Sequence, residues 1–392
     1  MRTFTSRRPS LWLAVFVAAT LIAAATSAAP LAAPAVTAAA QSRAAAVERA
    51  RALVRAHQAE LGIPGISAAV GIDGIVVWSE GFGYADLENR VPARATTLYR
   101  IGSVSKPVTA TAVVQLALDG RLDLDAAVQR YVPTFPEKDY PITTRQLAGH
   151  LAGIRHYRGN ESVGEGQRHY DDVVEALGIF GEDPLLFAPG QRYSYSSYGW
   201  NLISAVVQGA AGQDFLSYMQ ERVFDPLGLN HTYADDPRLI IPERTRFYAY
   251  SGGRTLNAPF VDNSYKWAGG GFIASVEDLV RFGSAHLSPG FLPQAGLDLL
   301  FTSQRNSAGE PTGYGIGWRV GTFGALFPED SPLRSGRLAE LRVMHHGGSS
   351  VGGRAFLLLV PEERVVVALL VNYSRFDGNR VAGAIAAAFV DQ

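Results

Sequence analysis

The 392-residue chain contains no cysteine. Disulfides, a thiol nucleophile, thiolate metal sites and a lipid-modified N-terminal cysteine are therefore excluded. The compartment stays open, because a cysteine-free protein folds in oxidising or reducing surroundings. An excess of one charge is also missing. Lys plus Arg number 35 against 36 Asp plus Glu, formal net charge is −1, and no basic run exceeds Arg7-Arg8. No whole-molecule field thus favours nucleic acid or another polyanion. Beyond residues 11–25, no segment is long and apolar enough to span a bilayer.

Several catalytic signatures are lacking too. Eight histidines contain no His-Glu-x-x-His, so a zinc peptidase has no ligand set. Gly-x-Ser-x-Gly is absent; Gly65-Ile66-Ser67-Ala68-Ala69 is the nearest approach to that nucleophile elbow. Gly269-Gly270-Gly271 is not followed by the Lys-Ser or Lys-Thr of a phosphate loop. Lysine itself is scarce: only Lys106, Lys138 and Lys266 occur.

What is present begins at the N-terminus. Arg2, Arg7 and Arg8 precede the apolar run 11–25, and two Ala-x-Ala-type exits follow at 26–29 and 37–40. That order of charge, apolar stretch and small residues reads as an export signal. A retained anchor fits less well, since the run falls short of the roughly 20 residues a spanning helix needs. Residues 6–11 resemble a twin-arginine signal without its aromatic, so the export route stays undecided. Residues 1–40 are assigned to signal and Ala- and Pro-rich lead-in, and 41–392 to one catalytic domain. The expected location is periplasmic or extracellular, with no stable membrane span once the signal is removed.

Residues 44–61 carry apolar side chains at helical spacing and stop at Gly62-Ile63-Pro64-Gly65. Residues 66–72 and 75–84 are β-branched and aromatic runs hinged at Asp73-Gly74, a hairpin signal. A helix opens at Ser103 and ends at Asp119-Gly120, and residues 122–250 read as mostly helical segments. Strands return at 314–320, 355–360 and 364–372, and a closing helix at 381–390. Strands at both ends with helices between predict an α+β fold: an antiparallel sheet flanked by helices, with an inserted all-α region at about 122–250.

Ser103-Val104-Ser105-Lys106 places a hydroxyl and an amine three residues apart, on one helical face. A serine hydroxyl needs a neighbouring base, and a desolvated lysine is neutral and able to accept its proton. Arginine cannot replace it. The N-terminus of that helix adds unpaired N–H groups and a positive dipole end. An N-capping Ser103 with a surface Lys106 explains the same pair equally well on this motif alone. The rarity of lysine favours chemistry.

The surroundings decide between them. Residues 77–92 (VWSEGFGYADLENRVP), 99–106 (YRIGSVSK), 122–139 (LDLDAAVQRYVPTFPEKD), 150–157 (HLAGIRHY), 195–202 (YSSYGWNL) and 261–272 (VDNSYKWAGGGF) form an ordered set. They resemble the class C-type branch of the serine β-lactamase and penicillin-binding protein superfamily, and within it the serine β-lactamase-like proteins of the LACTB type. The resemblance covers nearly all of the mature chain and implies a β-lactamase/DD-peptidase-like fold.

It also implies site residues. Ser103 is the acylated nucleophile and Lys106 its base. Tyr195, in Tyr195-Ser196-Ser197, is a phenol or phenolate proton relay. The third motif falls on His346-Gly347-Gly348, with His346 chosen over His345 because the glycine pair follows it. His346, Gly347, Gly348 and Ser197 are expected to bind substrate, with His346 tuning Tyr195. The N–H groups of Ser103 and Ser349 form the oxyanion hole. Neither a metal nor a cofactor is implied.

Three departures narrow the expectation. Ser197 stands where penicillin-hydrolysing relatives have Asn, His346 and Gly347 stand for Lys and Thr, and residues 158–182 are short where mitochondrial relatives carry a long charged insertion. The expected function is an exported serine hydrolase working through an acyl-enzyme on a small-molecule or peptide substrate, first a peptidase or amidase. An esterase, a D-amino-acid-type peptidase or a slow β-lactamase is the alternative, and a silent sensor or scaffold the non-enzymatic one. Homo-oligomer formation is left open.

Overall fold

The computed structural model of the chain describes residues 33–390. The export signal expected within residues 1–40 lies outside the described residues as far as residue 32. The chain divides into two units, Met1–Gln41 and Ser42–Gln392. Of the first, the described residues are helical and open α1 (Ala33–Leu61). The sequence suggested a lead-in as far as residue 40; the helix begins earlier because alanine has the highest intrinsic helix propensity.

In the second unit, α1 turns Ala46, Ala50 and Val54 inward at four-residue spacing. Gly62 (φ 63°) ends it, and the chain enters β1 (Gly65–Ile72) and β2 (Ile75–Asp86). Asp73 and Gly74 both take positive φ, as a two-residue hairpin requires. With β3 (Val91–Pro92), β4 (Arg319–Thr322), β5 (Arg342–Ser350), β6 (Gly353–Val360) and β7 (Val365–Val371), they build a seven-stranded sheet in the order β3-β2-β1-β7-β6-β5-β4. Every neighbouring pair is antiparallel. The two ends of the chain therefore meet in the middle, with Ile66 opposite Val371 and Ile72 opposite Val365.

Side chains alternate across a strand, so β6 and β7 supply two cores. Phe356, Leu358, Val365, Val367 and Leu369 join α1 and the closing helix α5 (Gly378–Val390) on one face. Leu357, Leu359, Val366, Ala368 and Leu370 join the helical side, including α2 (Ser105–Leu118), α3 (Ser197–Ala211) and α4 (Val276–Ser284). This explains why residues 365–371 are apolar without interruption.

The helical stretch after residue 122 shares that second core rather than forming its own compact unit. Short strands close it. Thr232–Ala234 pairs with Phe272–Ala274, which also pairs with Tyr99–Arg100, and Tyr248–Ser251 forms a hairpin with Arg254–Asn257. Segments of three or four residues are too brief for a period to show. The strand expected at 314–320 begins only at Arg319, because Gly313 and Gly317 adopt positive φ and break the extended run. No helix among the described residues is long and apolar enough to cross a membrane.

Candidate active site

Ser103 does not sit on the α-helix that the sequence suggested. It occupies the 3-10 turn Gly102–Val104, and α2 begins at Ser105. As one of the first N–H groups of a helical turn, that of Ser103 has no acceptor within the turn. The turn is pressed against β5. Gly102 has φ 50°, and a Cβ there would stand 2.6 Å from the Ser349 nitrogen. From the other side, a Cβ on Gly348 would stand 1.9 Å from the Ile101 carbonyl oxygen. Two glycines thus allow two backbones to touch, bringing Ser349 beside the nucleophile turn. Gly348 serves this approach and also lines the cleft in which substrate contact is expected of it.

Lys106 projects from the first turn of α2 and is fully buried. Its Nζ lies 2.9 Å from Ser103 Oγ, 3.2 Å from Ser197 Oγ and 2.7 Å from the Gly269 carbonyl oxygen. Burial, with a further push from Arg319, holds its pKa well below 10.5. A neutral amine has two N–H donors and one lone pair. The carbonyl of Gly269 takes one donor and Ser197 the other, which leaves the lone pair for the Ser103 hydroxyl. The hydroxyl of Ser197, expected to hold substrate, is instead turned to the amine, and the residue is 4% exposed.

The Tyr195 hydroxyl donates to Ser103 Oγ at 2.8 Å. Burial raises the Tyr195 pKa to about 12, so of the two forms expected, phenol and phenolate, the phenol is present at neutral pH. The ring precedes α3, whose N-cap Ser196 accepts from the Gly199 N–H. It lies against His150 in a tilted ring contact, with centroids 4.2 Å apart. His150 itself has φ 62°, uncommon for a side chain with a Cβ, and its Nδ1 accepts from the Ser196 N–H at 3.1 Å. It is a positioning residue for the segment that carries Tyr195. In the sequence His150 carries no assigned role; no spacing rule marks a histidine that works through an unusual backbone angle and ring contacts.

Strand parity settles the choice between the two histidines of β5. His346 shares the face of Met344, toward the helical core, while His345 stacks on Phe356 at 5.4 Å. His346 is 2% exposed, and burial holds its pKa well below 6.5. Its Nδ1–H donates to the Gly347 carbonyl at 2.7 Å, so Nε2 accepts from the Tyr314 hydroxyl at 2.8 Å. Both nitrogens are committed and the ring is neutral. The expected roles, gripping a substrate carboxylate and tuning Tyr195 by charge, therefore do not fit this geometry. His346 and Tyr314 instead pack beside Tyr195 and His150, and Tyr314 went unnoticed in the sequence because sixteen tyrosines offer no contrast.

Around these residues opens a cleft of about 1050 Å³, lined by Ser103, Tyr195, Ser197, Gly347, Gly348 and Ser349 with loop residues from both halves of the chain. Arg155, 6% exposed, ties one wall together through Glu161 at 2.7 Å and through Asp183. A buried neutral amine against a hydroxyl, a phenol on the same oxygen and a strand held close by glycines form a device for serine acylation.

The comparisons with known proteins agree with that chemistry. The β-lactamase family model matches residues 50–392. The mitochondrial serine β-lactamase-like protein LACTB of Bos taurus is 33% identical over 402 residues, covering 79% of this chain and 71% of the relative. Among solved structures, the octameric penicillin-binding protein homologue of Pyrococcus abyssi superposes with TM-score 0.74 at 24% identity, over 88% of this chain and 78% of that one. The D-stereospecific amidohydrolase of a Streptomyces species gives TM-score 0.69 at 23% identity, over 87% and 99%. At such identities these two likenesses speak for the fold. The chain belongs to the β-lactamase family, as a serine hydrolase of β-lactamase fold related to the LACTB proteins.

Proposed function

We propose that the protein is an exported peptidase or amidase that works through an acyl-enzyme on Ser103. The observation that carries this reading is the convergence on one oxygen of a desolvated Lys106 amine at 2.9 Å and a Tyr195 phenol at 2.8 Å. In the acylation step, Ser103 Oγ bonds to the substrate carbonyl carbon as its proton passes to Lys106 Nζ. The carbonyl oxygen becomes an oxyanion held by the N–H groups of Ser103 and Ser349. Collapse breaks the bond to the leaving amine, which takes its proton from Tyr195, and the Lys106 ammonium restores the phenol. Water then attacks the ester, Lys106 takes its proton, and Ser103 leaves with that proton as the hydroxyl.

Amide cleavage suits the arrangement because the Tyr195 phenol stands on Ser103 Oγ, ready to protonate a leaving amine. Esters need less help at the leaving group, and ester cleavage is the second reading. Turnover of β-lactams is expected to be slow, since His346 is neutral and Gly347 lacks a hydroxyl. Residues 1–29 supply the case for export. Fluorophosphonate labelling of wild type against Ser103→Ala, followed by a panel of D- and L-peptide amides, esters and nitrocefin, tests the reading. Labelling that survives the Ala change rules Ser103 out. Fractionation with N-terminal sequencing of the mature protein tests export.

A further inference from the structure

The cleft that contains Ser103 is also lined by three cations, Lys266, Arg319 and Arg354, and by Asp377. Asp377 is paired with Arg380 at 3.1 Å. Among the described residues, no carboxylate lies within ion-pair distance of any of the three cations. Arg354 spends one nitrogen on the Ser350 and Gly353 carbonyls, both at 3.0 Å. Arg319 is exposed, its guanidinium 6.0 Å from the Tyr195 ring centre.

Lys266 differs from both. It is 4% exposed, and its Nζ makes no hydrogen bond among the described residues, with the Tyr265 ring centre 5.2 Å away. Its aliphatic stem runs beside the nucleophile turn. A Cβ on Gly270 would stand 3.8 Å from Lys266 Cδ and 3.6 Å from the Gly102 carbonyl carbon. The nearby Asp235 gives one carboxylate oxygen to Arg100 at 2.6 Å and Asn263 at 2.7 Å, while its other oxygen has no hydrogen bond and its charge favours the ammonium form of Lys266 without forming an ion pair. An amine that lines the cleft without a hydrogen bond from the protein is left for solvent or a ligand to satisfy. Burial, with Arg100 and Lys106 and against the pull of Asp235, lowers the Lys266 pKa to about 7, and an arriving anion works against that shift. The third family motif supplies no cation here, because His346 is neutral.

We propose that Lys266 is the anion-recognition residue of this cleft, so that the acyl group transferred to Ser103 carries a carboxylate. One buried ammonium, with Arg319 at the open side, matches a single negative charge. The proposal rests on the hydrolase reading above and names its substrate class. A structural alternative, in which Lys266 only helps to keep Lys106 unprotonated, would affect all acyl donors alike.

Two esters that differ only at the far end of the acyl chain separate these readings: mono-4-nitrophenyl glutarate and 4-nitrophenyl valerate. With the full-length protein, the ratio of kcat/KM for glutarate over valerate is expected to exceed about 10, and to fall at least about tenfold in Lys266→Met, with part of it restored in Lys266→Arg. Lys266→Gln serves if the Met variant loses its cooperative unfolding transition. A binding arm uses Ser103→Ala and calorimetry with glutaric acid monoanilide, whose affinity is expected to drop about tenfold or more when Lys266→Met is added. A wild-type ratio near one, or a ratio and an anilide affinity that both survive Lys266→Met, overturns the proposal. Anilide binding that depends on Lys266 while neither ester is turned over upholds the anion site and refutes the hydrolase reading instead.

Discussion

The contact between the Ser103 turn and β5 makes a sharp test. In Gly348→Ala, the new methyl would stand 1.9 Å from the Ile101 carbonyl oxygen and 3.1 Å from the Ala355 Cβ. Ordinary contact begins near 3.4 Å, so strand and turn must part by about 1.5 Å, and both are backbone. Overpacking of this kind costs about 1–3 kcal/mol of stability. The catalytic cost follows from the same movement, because Ser349 adjoins the substituted residue and its N–H is one of the two proposed oxyanion donors. Loss of one such donor lowers kcat by ~10²–10³, and a misplacement of ~1 Å has a similar effect. The assay is steady-state turnover of an activated ester beside urea unfolding. The expected result is a kcat lower by about 10² or more, a smaller change in KM, and a midpoint shifted to lower urea. A variant with kcat within about threefold of wild type would refute both the close approach and the oxyanion assignment.

Lys106→Arg keeps the charge but cannot give up its proton, so kcat/KM is expected to fall ~10²–10⁴, and any variant close to wild type in ester turnover disproves the neutral-amine base. In wild type, kcat/KM should be lost as pH falls through the lowered Lys106 pKa and hold on the alkaline side, since the Tyr195 pKa is about 12; a loss centred near pH 9–10 would contradict the assignment of Tyr195. The same lowered pKa has a stability consequence. Between it and the ordinary lysine value of 10.5, the unfolded chain binds more protons than the folded one, so Lys106 makes stability rise with pH across that window, by at most about 1.4 kcal/mol per pH unit. Chemical unfolding from pH 6 to 10 should show a shallower rise in Lys106→Met, and parallel curves would mean that the amine is charged in the fold. Tyr314→Phe leaves His346 Nε2 buried without its hydrogen-bond partner and is expected to cost about 1–3 kcal/mol in urea unfolding, whereas an unchanged midpoint would show that this hydrogen bond does not hold His346 in place.

The sequence by itself determined four strands of the main sheet and, through the family resemblance, the nucleophile. Period-two and unbroken apolar runs give β1, β2, β6 and β7, and Ser103-x-x-Lys106 with so few lysines tilts toward a reacting pair that the ordered resemblance then settles. These are local signals, in which one segment carries its own pattern. Tyr195 and the His346 motif were found through ordered resemblance rather than from their residue types. Only the tertiary structure decided the rest, because the deciding facts are distances between segments far apart in the chain. It is burial by other elements that makes Lys106 neutral and keeps Tyr195 a phenol. It is the hydrogen bond from Tyr314 that removes His346 from substrate binding, and the hydroxyl of Ser197 is given to Lys106 by the way α3 meets α2. Lys266 was noted in the sequence only as one of three lysines. What set it apart was a largely buried lysine that lines the cleft beside the nucleophile with no hydrogen bond from the protein, a property of the packed cleft and not of any stretch of sequence.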